Sequence, residues 1–165
     1  MTTMTLLAMW GDAWWSRAIT RLTDGGPSHV ALGFENDSFP GEYYEALAGH
    51  RVRGPIPYQD AQDWAAKRPK TRRLEFVKLS DDRCLVERKL KTAQMWVGAA
   101  GYGYLQIVAM LLFIKFGWRV PKSMGRVVCS ELVARILWPD IDVTDGHDFD
   151  AVTPANVWRA ALKRL

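Results

Sequence analysis

Between Lys91 and Lys115 the chain runs from Ala93 to Ile114, 22 residues, without a charged side chain. An uncharged run of that length is enough to cross a bilayer as one helix, so its reading decides between a membrane protein and a globular one. Gln94, Gln106 and the glycines Gly98, Gly101 and Gly103, with Tyr102 and Tyr104 among them, interrupt it. These residues split the run into the end of one helix and an apolar stretch from about Ile107 to Phe116, which itself contains Lys115. The expectation is a buried core helix, not membrane insertion.

The 165 residues match one domain with one hydrophobic core, 1–165. Hydrophobic residues at 48% and charged residues at 24% exclude a disordered or fibrous chain. The net charge of +4 is unevenly spread: residues 51–91 hold 12 basic and 6 acidic groups, whereas residues 1–50 hold 2 and 6. The densest run, Lys67 to Arg73, lacks base-stacking aromatics and reads as a solvated turn, so no nucleic-acid partner is expected. Two cysteines, Cys84 and Cys129, do not make a multi-bridge framework, and reduced thiols are expected. The start, MTTMTLLAMWGDAWW, has no basic n-region or long apolar stretch of a signal peptide, which leads to an expected cytoplasmic location.

Thr3 to Met9 is a short apolar segment closed by a turn at Gly11-Asp12. Ala13 to Leu22 has helical spacing, with Trp14, Ala18 and Leu22 on one face, so Trp14 is expected in the core rather than stacked on a sugar or base. His29–Phe34 and Glu42–Leu47 read as paired antiparallel strands joined by a turn with Pro40-Gly41. Arg73–Leu79 reads as a strand with Leu74, Phe76 and Leu79 inward. A helix capped by Ser80-Asp81 follows, with Val86, Leu90, Ala93 and Val97 at helical spacing. A loop from Val120 to Gly125 leads to the helix that opens at Cys129 and ends at Trp138-Pro139. The last helix starts at Thr153-Pro154.

Cys129 is the first candidate for chemistry, because a sulfur at a helix start lies beside unpaired backbone N–H groups and the positive end of the helix dipole. An imidazole would complete its activation, and His29, opening a strand behind Pro27-Ser28, is the best placed. Glu45 on the neighbouring strand is a candidate to orient that ring. The competing reading makes Cys129 a small buried hydrophobe. Asp140, Asp142, Asp145, Asp148 and Asp150 surround His147, but the glycine is misplaced for a calcium loop and no glutamate closes it, so an acidic surface turn is expected.

The order Gly11-Asp12, Ser28-His29-Val30-Ala31-Leu32, Tyr44-Glu45-Ala46 with Gly54-Pro55-Ile56, Cys129-Ser130-Glu131-Leu132-Val133 and Thr153-Pro154-Ala155-Asn156-Val157-Trp158 resembles the circularly permuted branch of the NlpC-like, papain-fold cysteine hydrolases, nearest to the YiiX/YebB-like pattern. The likeness spans about residues 7–158. It implies an α+β, papain-like fold in which a small antiparallel sheet packs against helices. It also implies Cys129 as nucleophile, His29 as general base and Glu45 as the orienting group, with Glu42 and His50 as rivals for the last role. No cofactor or metal is implied. The implied activity is cysteine peptidase or amidase chemistry through an acyl-enzyme, on cell-wall peptides or another peptide or acyl substrate. Members of the wider superfamily act on lipid esters and thioesters, and a non-catalytic phage or virion component is the third reading. The segment between the apolar helix and Cys129 is short for the family, and the second oxyanion donor is left open.

Overall fold

The computed structural model describes residues 2–36, 39–46, 51–57, 71–102, 104–118, 126–149 and 151–164. These form an α+β arrangement around one five-stranded antiparallel sheet. Its strands are β1 (Thr3–Gly11), β2 (His29–Asn36), β3 (Phe39–Glu45), β4 (Arg53–Pro57) and β5 (Thr71–Ser80), in the spatial order β4-β3-β2-β1-β5. Among the described residues five helices accompany it: α1 (Trp14–Leu22), α2 (Arg83–Trp96), α3 (Tyr104–Phe116), α4 (Cys129–Leu137) and α5 (Pro154–Leu162). A short parallel pair, β6 (Gly101–Tyr102) and β7 (Arg126–Val127), leads into α4.

The apolar opening segment becomes β1, held between β2 and β5, with Leu6 opposite Leu32 on one side and Val77 on the other. Alternation sends Met4, Leu6, Ala8 and Trp10 to the helix side, beside Val30, Leu32 and Phe34. Leu7 and Met9 point the other way and bury against Ala31 and Tyr43. A strand buried on both faces has to be apolar at nearly every position, which is why β1 shows no polar alternation from Leu6 to Trp10, after the half-buried Thr3 and Thr5. Helix α4 lies over the helix side of the sheet, with Leu132, Ile136 and Leu137 fully buried. Each such side chain contributes roughly 1.5–3 kcal/mol through its removal from water.

Helix α5 is fixed at its start as expected. Thr153 accepts the Asn156 backbone N–H at 3.1 Å, and the Asn156 side chain accepts the Thr153 N–H at 3.0 Å. Trp158 meets Trp10 edge to face, with ring centroids 5.8 Å apart, which ties α5 to β1.

Four local expectations change. Trp14 is 76% exposed, and α1 instead turns Ser16 and Ile19 inward. The reason is a close approach at Gly11, where a Cβ would lie 2.8 Å from Ser16 Oγ, so the helix seats its serine rather than its tryptophan. Phe76 is 46% exposed, because strand alternation places it with Leu74 on the outer face while Val77 and Leu79 join the main core. Helix α2 is capped one residue later than expected, by Asp82, which accepts from the N–H of Cys84 at 2.9 Å. Ser80 still ends β5, and Asp81 pairs with Lys78. On this helix Val86 and Ala93 are buried as expected, but Val97 lies past its end and is exposed.

The fourth change concerns α3. Among the described residues no helix is long and apolar enough to cross a membrane. Yet among the described side chains of α3 none is fully buried: Ile107, Ala109, Leu111, Leu112 and Ile114 are half-buried, and Val108 and Phe116 are each 53% exposed. A helix apolar all round has no stripe of one polarity to mark its inner face, so periodicity could not place it.

Candidate active site

His29 is the first residue of β2 and is anchored by the serine before it. The Ser28 backbone N–H donates to Met9 O at 2.9 Å, and Ser28 Oγ donates to the same carbonyl while accepting the Gly11 N–H at 3.1 Å. These bonds staple the start of β2 to the end of β1 and set where the imidazole stands. Glu45 closes β3, the next strand over, and is fully buried. His29 Nε2 donates to Glu45 Oε2 across 3.0 Å. The other carboxylate oxygen, Oε1, accepts from Arg53 Nη2 at 2.7 Å.

Cys129 is the first residue of α4, whose start carries no side-chain cap. Its side chain hydrogen-bonds the His29 ring and accepts from the backbone N–H groups of Val30 and Ser130. With Nε2 engaged by Glu45, Nδ1 is the ring nitrogen left for sulfur. Ser130 Oγ donates to Val152 O at 2.7 Å, which holds the start of α4 to the segment before α5. The structure therefore brings together Cys129, His29 and Glu45, although 16 residues separate the last two and the cysteine lies far along the chain.

The electrostatics follow from this contact. Burial opposes a charged imidazole, but the adjoining Cys129 sulfur and the Glu45 carboxylate outweigh it, and the His29 pKa rises to about 9. Burial likewise opposes a thiolate at Cys129, yet the His29 charge, its hydrogen bond and the two backbone N–H donors hold the thiol below its usual value. Both shifts favour a thiolate–imidazolium pair, backed by a carboxylate and a guanidinium. Four charges alternate in sign and sum to zero, which is how a fully buried glutamate is tolerated.

Of the rivals for the third position, Glu42 accepts from Tyr44 Oη at 3.3 Å, and His50 lies outside the described residues. Arg53 was not foreseen. Its signal was the Arg53-Gly54-Pro55 sequence beside a strand end, where Gly54 has φ +151° and a Cβ would meet the Tyr44 ring at 2.2 Å. Only glycine lets β4 lie this close to Tyr44 and bring Arg53 to Glu45.

Neither thiol is in a disulfide, and Cys84 is exposed on α2. The aspartates after α4 hold local structure: Asp140 meets Lys89 and Arg88, Asp142 accepts from Thr144, and Asp145 meets Lys163. Asp150 lies outside the described residues, as do Lys67 to Lys70 of the basic run and the loop 120–125. Arg73, at the end of that run, stacks 4.7 Å over the Trp10 ring.

Compared with protein-family models and with curated proteins, the chain matches neither.

Proposed function

We propose that this protein is a papain-like cysteine hydrolase of the permuted NlpC-like kind, acting on an amide bond through an acyl-enzyme. The observation that carries the reading is His29 placed between the Cys129 sulfur and the Glu45 carboxylate, at an uncapped helix start. The thiolate adds to the substrate carbonyl carbon, forming a C–S bond and an oxyanion. The His29 imidazolium then gives its proton to the leaving nitrogen as the C–N bond breaks. Water attacks the thioester while His29 takes its proton, releasing a carboxylic acid and restoring the thiolate–imidazolium pair. The Cys129 backbone N–H is one donor to the oxyanion in this scheme.

The substrate we favour is a peptide, with a cell-wall peptide as the first to test. A lipid ester or thioester is the second reading, and the observation favouring it is the apolar, unburied surface of α3. The resemblance to phage-encoded members suggests residence in the bacterial cytoplasm or in a virion.

Cys129 is 3% exposed, a burial that a non-catalytic virion component would share. Reactivity therefore discriminates. Iodoacetamide labelling across pH should show Cys129 reacting at a pH where Cys84 does not yet react, and His29→Ala should abolish that advantage. Slow labelling of Cys129 at every pH would overturn the enzyme reading.

A further inference from the structure

We propose that the surface formed by α1 and α3 docks on an anionic lipid bilayer. Helix α3 carries one charge, Lys115, in 13 residues, and yet no described side chain on it is buried. It touches α1, which presents Trp14 at 76% and Trp15 at 46% exposure. Val108 and Phe116 on α3 and Trp118 just after it are also exposed, the last 63%. Aromatic pairs hold both ends: Trp14 meets Trp15 at 5.7 Å, and Phe116 meets Trp118 at 5.4 Å. A monomer in water has no use for an apolar surface of this kind, whereas tryptophans gather at the boundary of a bilayer.

The charges select the partner. Neither helix contains an acidic residue, while Arg17, Arg21 and Lys115 on them are exposed. Asp12 and Asp24 flank α1, the former 3.9 Å from Arg17. In sequence, no acid occurs between Glu87 and Glu131. A second copy of the chain would set cation against cation on this surface, but an anionic headgroup layer complements it. At 1.5 Å per residue α3 is about 20 Å long, short of the roughly 30 Å hydrocarbon core, so it lies in the plane of the interface. Arg17 and Arg21 border a cleft with Trp10, Trp14 and Gly11. Gly11 ends β1 two residues after Met9, the partner of His29, so the docking face adjoins the end of the sheet that bears the imidazole.

The test is sedimentation of the whole chain with vesicles of phosphatidylcholine, with and without phosphatidylglycerol, read together with tryptophan emission. Binding to the anionic vesicles with a blue shift is expected, and Cys129→Ala should bind as the wild type does, which separates docking from turnover. Each cation at an anionic surface is worth a factor of about five, so Arg17→Gln with Arg21→Gln should weaken binding about 25-fold. Val108→Asp with Phe116→Asp should remove the blue shift, with the circular dichroism unchanged. The proposal fails if the wild type does not bind the anionic vesicles, or if either double variant binds them as well as the wild type. It also fails if the chain dimerises without lipid and Val108→Asp with Phe116→Asp breaks the dimer, since the occupant is then a second copy.

Discussion

Replacing Glu45 by Gln keeps the shape of the buried side chain and removes its charge, isolating what the carboxylate does for the imidazole 3.0 Å away. A hydrogen bond to a charged group contributes about 1.5–3 kcal/mol, and if the transition state needs the imidazolium, its loss lowers kcat/KM by roughly 10- to 150-fold. The pH dependence must shift with it. His29 has a raised pKa, so its imidazolium is present below about pH 9 and lost above. Without the carboxylate that alkaline limit moves down, by about one to three pH units for an opposite charge at this distance. A weaker imidazolium also supports the thiolate less, so the acid limb moves up and the active window narrows from both sides. The assay is the second-order rate of Cys129 alkylation by anionic iodoacetate, which the imidazolium attracts, against pH in a Cys84→Ser background, with thiolate absorbance as a parallel readout. An unchanged profile in Glu45→Gln would refute the coupling of carboxylate to sulfur, even with the fold intact.

Cys129→Ala should lose turnover and acyl-enzyme formation, seen as the missing mass adduct, while its melting temperature stays within about 5 °C because a small buried group is exchanged for another. Leu132→Ala empties the fully buried contact of α4 with the sheet and should cost about 2–5 kcal/mol in urea unfolding; a cost under about 1 kcal/mol would contradict the packing. Gly54→Ala drives a Cβ into the Tyr44 ring, so stability should fall by more than about 1 kcal/mol, and the pH profile of Cys129 alkylation should shift as Arg53 leaves Glu45. An alanine variant with wild-type stability and profile would show that β4 does not hold Arg53 in place.

What could be read in advance depended on whether the deciding contact was local. The strands at His29 and Glu45 announce themselves by apolar and β-branched runs between Gly/Pro breaks, and the helix at Cys129 by its spacing, so their meeting was within reach of chain order. Arg53 was not, because its role exists only once β4 has paired with β3, where Glu45 and Arg53 stand opposite one another. The face of α1 depended on a glycine five residues before a serine, a contact of two small groups that hydropathy does not register. For Phe76 the pattern held the answer, since residues two apart share a face and residues three apart do not.

The row of alternating charges also has an inside and an outside. The Arg53 side chain is 38% exposed, whereas Glu45 is sealed and His29 nearly so. Dissolved anions that pair with the guanidinium compete with the carboxylate behind it. A sulfur shielded from water thereby stays answerable to the salt outside, with Arg53 as its antenna.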